Sequence, residues 1–231
     1  MKVANAAARE SMRARMANVS RTTAPARSSL SPTKASPPGS SKLVRAQAIF
    51  YDDNMVNFAG NVERGKVPAI RAVHCGEPLT TAQLRDALAV WHESEADPSA
   101  PKLFFFFDFD GTLSLEQGLD DRLLKGVNSV DPVLATLFGD DERQEALRML
   151  LRPLLEAGRC YVLTANIGFA AIAHLLNLLL ARGKGAVGSP PAKRSGMFAV
   201  EKTVRYVPSG QKIRAIGKII DACGCKLVAS F

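Results

Sequence analysis

The sequence has few cysteines, and their arrangement excludes a disulfide framework. Only four occur in 231 residues, and they are scattered, whereas small secreted domains depend on dense sets of paired cysteines. Two of them form a C-x-C pair, which differs from the C-x-x-C pairs of a zinc ribbon. We therefore expect a reduced compartment and ordinary buried thiols. The four are Cys75, Cys160, Cys223 and Cys225.

A long apolar run is also missing. The most apolar stretch, residues 168–181, is short and contains His174 and Asn177. A helix that crosses the hydrocarbon core of a bilayer needs about 20 mostly apolar residues. The sequence therefore predicts no membrane-spanning segment and no membrane partner.

The formal net charge of +8 is not spread along the chain. Residues 1–45 hold nine of the 30 Lys and Arg residues but only one of the 22 Asp and Glu residues. Residues 46–231 are therefore neutral, with 21 residues of each sign. A neutral domain does not hold phosphate backbones by bulk charge, so nucleic acid is not an expected partner.

The basic segment 1–42 is predicted to be a disordered tail or a targeting segment outside the folded domain. Residues 20–41 contain seven Ser and four Pro, and such a segment cannot bury enough apolar area to offset its ordering entropy. A composition rich in Arg and Ser and poor in acids is typical of an organelle transit peptide. An export signal of a bacterial effector and a solvated tail without an address are the other two interpretations.

From residue 43 onward, apolar segments with strand character alternate with segments of helical spacing. Strands are predicted at 46–51, 67–73, 103–107, 160–163, 199–207 and 227–231. Helices are predicted at 54–64, 80–93, 132–138, 142–157, 167–181 and 211–222. This alternation is typical of an α/β domain with a doubly wound parallel sheet. The domain is expected to cover 43–231, in two parts, 43–96 and 102–231.

The most informative polar cluster follows the predicted strand 103–107. Asp108 and Asp110 come directly after five apolar residues, and Gly111 allows the backbone to turn sharply. Buried carboxylates are costly unless a cation meets them. A site that holds a divalent cation together with phosphate suits Mg²⁺.

Two more predicted strands end in polar residues. Asp52 and Asp53 follow the strand 46–51, and Thr164 follows the strand 160–163. In parallel sheets, ligands bind beyond the carboxyl ends of the strands. We therefore expect these side chains to share one crevice with Asp108 and Asp110.

These segments resemble the motifs of the haloacid-dehalogenase-like (HAD) hydrolases. Residues 104–113 resemble motif I, and residues 161–166 resemble motif II, a strand that ends in Ser or Thr. Residues 209–213 resemble motif III, because Lys212 stands at a predicted helix start. Lys202 competes for that role, but it lies inside a predicted strand.

Motif IV, an acidic pair at the end of a strand, does not follow Lys212. Residues 48–54, with Asp52 and Asp53, resemble it instead, near the other end of the chain. The resemblance therefore implies a circularly permuted domain, which is tolerable because chain termini often lie close together. A truncated tandem of two domains is one alternative. Exchange of the N-terminal piece between the subunits of a homodimer is another.

The resemblance implies a Mg²⁺-dependent hydrolase of phosphoric monoesters. Asp108 would be the nucleophile that forms an aspartyl-phosphate. Asp110 would be the general acid and then the general base. Thr164 would donate to a phosphoryl oxygen, and Lys212 would neutralise charge on the nucleophile and the phosphate.

The metal ligands follow from the same resemblance. Mg²⁺ would be held by the Asp108 carboxylate, the main-chain carbonyl of Asp110 and the Asp53 carboxylate. Asp52 would act through a water molecule.

Residues 113–159 are too few for a large additional cap domain, so a small cover or none is expected. An open crevice would admit a phosphorylated small molecule or a phosphoprotein. The rival interpretation is a binding or regulatory module with this fold but little or no turnover, including a translocated effector.

Overall fold

The computed structural model describes residues 44–58, 70–118, 131–182 and 200–228. All of them fall in the unit formed by residues 42–231. The predicted tail, 1–42, lies outside the described residues, as does the second half of the predicted helix 54–64.

A parallel sheet of six strands forms the centre of the described chain. The strands are β1 (Val44–Asp52), β2 (Ile70–His74), β3 (Lys102–Asp108), β4 (Cys160–Thr164), β5 (Val204–Tyr206) and β6 (Cys225–Leu227). Five of them lie in the order β2-β1-β3-β4-β5, and β6 pairs with β1. The predicted α/β class and parallel sheet are confirmed.

The strands β2 and β6 follow one another along the same edge of β1. Ala46 of β1 pairs with Leu227 of β6, and Ala48 pairs with Ile70 of β2. The opposite edge of β1 is occupied by β3. The two ends of the described chain therefore lie next to each other, because Val44 pairs with Cys225.

Helices flank the sheet and cover both of its faces. They are α1 (Thr81–Ala96), α2 (Asp131–Phe138), α3 (Asp141–Glu156), α4 (Phe169–Ala181), α5 (Val200–Thr203) and α6 (Lys212–Ala222), with a 3-10 turn at Met55–Phe58. Local sequence explains two of the starts. Thr80 caps α1 through a reciprocal bond pair with Gln83, and the Asp140 carboxylate caps α3.

The phenylalanine side chains of β3 pack into two separate hydrophobic cores. Side chains alternate across a strand, so Phe105 and Phe107 pack with α1, α2, α3 and α4 on one face. Phe104 and Phe106 pack on the other face with α6 and the 3-10 turn. A continuous apolar strand of this kind is expected in a sheet that is covered on both sides.

Helices α2 and α3 occupy the predicted cap region and pack into the first core. Leu134, Leu137, Leu147 and Leu150 are fully buried there. Within the described part of 113–159, both helices are thus part of the core on this side of the sheet. None of the helices among the described residues combines the length and the apolar character of a membrane span.

Two predicted strands are corrected by the structure. The first half of 199–207 is the short helix α5, in which the Thr203 hydroxyl donates to the Val200 carbonyl at 2.9 Å and stabilises a helical turn. The last strand begins at Cys225 instead of residue 227, because Gly224 adopts a positive φ of 69° and ends α6 abruptly. Residues 229–231 lie outside the described chain.

Candidate functional site

The predicted site residues converge at the carboxyl edge of the sheet. Asp52, Asp108 and Thr164 are the last residues of the adjacent strands β1, β3 and β4. Asp53 follows Asp52 directly, and Asp110 stands two residues after Asp108. Lys212 is the first residue of α6 and reaches into the same cluster.

Lys212 joins two of these carboxylates. Its Nζ lies 3.0 Å from Asp52 Oδ2 and 2.7 Å from Asp108 Oδ1. The three side chains are 1%, 0% and 8% exposed, so the pairs are shielded from water. Buried charges persist only with such partners. The competing lysine, Lys202, is exposed on α5 and belongs to no described site.

Asp52 has donors on both of its oxygens. The Asn57 amide donates to Oδ1 at 3.0 Å and to Oδ2 at 2.8 Å, and the Asn54 N–H donates to Oδ1 at 2.8 Å. With Lys212 on Oδ2, this carboxylate accepts four bonds, about its full capacity. Asp52 therefore anchors its neighbours and has no lone pair left for a direct metal bond.

Asn57 is a site residue to which the sequence assigned no role, although it follows the segment that resembles motif IV. Its amide holds Asp52, and its Oδ1 accepts the Gly210 N–H at 2.9 Å. It thereby ties the turn after β1 to the loop that precedes Lys212. Its only local signal is its place in the turn that follows the acidic pair.

Asp53 is half-buried at the mouth of the cluster. Its N–H donates to Thr112 Oγ1 at 3.1 Å, and its Oδ2 accepts the Gln117 amide at 2.8 Å. The sequence does not indicate Gln117 as a site residue, because it belongs to none of the motifs described above. Together these bonds hold the Asp53 carboxylate beside the turn that follows β3.

Gly111 makes the close approach of that turn possible. Its φ is +67°, a conformation that favours glycine. A Cβ atom there would overlap the Gln117 amide and lie 2.6 Å from Asp53 Oδ2. The predicted sharp turn at this glycine is confirmed.

Burial shapes the acidity of the two carboxylates after β3. It raises the pKa of Asp108 to about 7; the negative charge of Asp52 adds to the shift, and Lys212 opposes it. Burial also raises the pKa of Asp110. Its Oδ2 accepts the Thr164 hydroxyl at 3.2 Å, while its buried Oδ1 has no hydrogen-bond partner among the described residues.

Thr164 is engaged within the protein. Besides its bond to Asp110, its Oγ1 accepts the Asn166 N–H at 2.9 Å. To donate to a phosphoryl oxygen, as the motif resemblance implies, the hydroxyl has to leave Asp110. In this structure it positions Asp110 instead.

The cluster has a metal-binding composition. One oxygen from each of Asp52, Asp53 and Asp108 lies within 4.8 Å of the other two. Opposite ligands of Mg²⁺ are about 4.2 Å apart, so small shifts of Asp53 and Asp108 would suffice to hold an ion next to Asp52. Three carboxylates against one ammonium group also leave an excess negative charge that a divalent cation would balance.

No protein-family model, curated protein or solved structure matches this chain. Function is therefore inferred from the residues themselves.

Proposed function

We propose that the protein is a Mg²⁺-dependent phosphomonoesterase of the HAD-like type with a circularly permuted domain. The observation that carries this proposal is the double contact of Lys212 with Asp52 and Asp108. These three residues come from the segments that resemble motifs III, IV and I. A phosphate site formed by these three motifs requires that the three residues lie in one cluster.

The position of β1 supports the permutation. Although β1 comes first in sequence, it lies between β2 and β3, and its acidic end adjoins Asp108. The pairing of Val44 with Cys225 brings the described chain ends together, as a permutation requires. The proximity of Asp53 to Asp108 within one chain supports the permutation over an exchange between subunits.

Asp108 is the proposed nucleophile. Its Oδ1 accepts both the Lys212 ammonium and the Phe109 N–H, so this oxygen is fixed. Oδ2 has no such donor among the described residues and is left to attack phosphorus. Formation of the P–O bond to Asp108 breaks the bond to the leaving alcohol, and Lys212 offsets the repulsion between carboxylate and phosphate.

Asp110 is the proposed general acid and base. Burial raises its pKa, so it retains a proton more readily than an exposed carboxyl. Thr164 holds Oδ2, and the partnerless Oδ1 is the oxygen suited to carry the proton. It gives this proton to the leaving oxygen, and then takes one from the water that hydrolyses the aspartyl-phosphate.

The metal would be held by the carboxylates of Asp53 and Asp108 and by the main-chain carbonyl of Asp110. When bound, Mg²⁺ would neutralise phosphate charge and favour nucleophilic attack. Asp52, whose oxygens are filled by protein donors, would keep Lys212 and Asn57 in place behind these ligands.

A hydrolysis assay tests this proposal. Wild-type protein should release p-nitrophenol from p-nitrophenyl phosphate only with Mg²⁺, and Asp108→Asn should reduce the rate at least a thousandfold. Asp221→Asn, on the exposed side of α6, is the matched control and should keep the wild-type rate. Full activity of Asp108→Asn would exclude the nucleophile. A folded but inactive wild type would favour the binding or regulatory module.

A further inference from the structure

Most of the exposed apolar side chains follow the carboxyl ends of strands. Eight large apolar residues are exposed among the described ones, and six of them lie at or just beyond the carboxyl ends of strands. We call these six the apolar rim: Met55, Val56, Leu115, Ile167, Phe169 and Tyr206. The other two, Val44 and Met149, lie at the start of β1 and on α3. Apolar side chains grouped in this way mark ligand-binding surfaces more often than scattered ones.

The loops that carry the rim are fixed to the site residues. The Val56 N–H donates to Asn54 Oδ1 at 3.0 Å, and the Asn54 N–H donates to Asp52. The rim is therefore placed relative to the carboxylates on the β1 side by short hydrogen-bonded turns.

The same construction recurs after β4. The Gly168 N–H donates to Asn166 Oδ1 at 2.8 Å, and the Asn166 N–H donates to Thr164. Ile167 lies between these bonds and is 85% exposed. An exposed apolar side chain in a hydrogen-bonded turn can contact an apolar ligand without ordering of the loop on binding.

The rim spans a distance that fits an extended chain. Its members follow β1, β3, β4 and β5, which are successive neighbours in the sheet. Neighbouring strands are about 4.8 Å apart, so the rim extends over roughly 14 Å.

The described loops at this edge favour a leaving group without negative charge. No Lys or Arg occurs in the described loops of this edge, which are 53–58, 74–80, 109–118, 165–168 and 207–211. The nearby cation, Lys212, is buried and already paired. A second phosphate or a carboxylate on the substrate would thus find no cation in these loops, and Glu77 and Glu116 would repel it.

We infer that the substrate is a phosphomonoester whose alcohol carries an extended, uncharged apolar group that lies across the apolar rim. This inference rests on the proposed function, since the phosphate is placed at the Asp108 cluster. Each methylene that is fully buried strengthens binding about fourfold. An open rim covers a chain only in part, so about twofold for each methylene is expected.

Linear alkyl monophosphates test this directly. Ethyl, butyl, hexyl and octyl phosphate have leaving alcohols of nearly equal acidity, so only apolar contact changes along the series. With Mg²⁺, kcat/KM should rise at least tenfold from ethyl to octyl phosphate, and glucose 6-phosphate should be poorer than hexyl phosphate. A flat series, or a preference for the sugar phosphate, would overturn the inference.

A matched pair of variants locates the effect. Met55 and Met149 are 61% and 55% exposed, but only Met55 belongs to the rim. Met55→Gln combined with Ile167→Gln should remove most of the chain-length dependence, whereas Met149→Gln should leave it intact. Equal loss in both proteins would contradict a role of the rim.

Binding measurements separate this inference from the proposed function. Calorimetry of ethyl- and octylphosphonic acid with the Mg²⁺-loaded protein should show at least tenfold tighter binding of the octyl compound. If this preference appears without hydrolysis of any ester, apolar recognition stands and the proposed turnover fails. If esters are hydrolysed without any chain-length preference in kcat/KM or in binding, only the rim inference fails. If neither binding nor hydrolysis occurs, both are wrong.

Discussion

The Lys212 ammonium donates to Asp52 Oδ2 at 3.0 Å, across 160 residues of sequence. The same group contacts Asp108. One buried cation therefore links the ends of two strands to the start of a helix. The cluster therefore combines stability and function, and its residues can be tested through both.

Removal of the lysine charge should destabilise the fold strongly. Lys212→Met leaves Asp52 and Asp108 buried without their cation. Breaking a buried ion pair on one side costs about 3–5 kcal/mol. Urea unfolding at pH 7.5 without Mg²⁺ should show a loss of this size. Lys218→Met, an exposed position on the same helix, should change the unfolding free energy by less than about 0.5 kcal/mol. A loss below about 1 kcal/mol for Lys212→Met would contradict the buried pairing.

Neutralising the proposed nucleophile should stabilise the metal-free protein at alkaline pH. Burial raises the pKa of Asp108 from its ordinary value of 3.8 to about 7. Between these values the native state binds more protons than the unfolded state, so stability falls as pH rises. The penalty is complete above pH 7 and absent below about pH 4. Asp108→Asn should therefore unfold at higher urea at pH 8, with a gain of up to about 4 kcal/mol.

The pH dependence is the control for this effect. The stability difference between Asp108→Asn and wild type should shrink progressively as pH falls from 7 towards 4. Addition of Mg²⁺ at pH 8 should stabilise the wild type more than the variant, because an ionised Asp108 is a proposed ligand. A gain that is independent of pH would exclude titration of Asp108 as its cause.

Substitution of Gly111 should damage the site beyond the cost of its backbone conformation. Gly111→Ala places a Cβ against the Gln117 amide and 2.6 Å from Asp53 Oδ2. Because the crowded atoms are side-chain ends that can move, we expect a loss of only about 1–2 kcal/mol in the free energy of unfolding, from the positive φ. Displacement of Asp53 should weaken Mg²⁺ binding at least tenfold in calorimetry.

Gly118→Ala provides a matched control. Gly118 also has a positive φ, 92°, but a Cβ there would meet no atom within 4 Å. This variant should lose only about 1 kcal/mol, the cost of the conformation, and should keep its Mg²⁺ affinity. Equal effects of the two substitutions would show that crowding at Asp53 plays no part.

Arg143 should be essential for stability, although it lies outside the carboxylate cluster. Its guanidinium donates at 2.9–3.0 Å to three carbonyls, those of Leu79, Leu113 and Phe138. Arg143→Met would leave these buried acceptors without a donor, at a cost of about 3 kcal/mol or more in urea unfolding. Arg85→Met breaks an exposed pair with Glu142 and should cost less than about 1 kcal/mol. Similar losses for both arginines would contradict this role of Arg143.

Local pattern was sufficient for most elements of the fold. The apolar run before Asp108 predicts a strand that is buried on both faces, and Thr80 predicts the start of a helix through its cap. Local pattern failed at 199–207, where β-branched residues favour a strand but Thr203 bonds back to Val200 and closes a helical turn. Competition between a local hydrogen bond and strand pairing cannot be read from residue type alone.

The sequence by itself determined which polar residues end the strands, because side-chain alternation and strand ends are local properties. It also indicated Lys212 as the lysine at a helix start. Only the tertiary structure decided that Lys212 is shared between Asp52 and Asp108, and that Asn57, Gln117 and Arg143 hold the surrounding loops. These contacts depend on strand order and register, which set which distant residues meet, and a short stretch of sequence carries no signal for them.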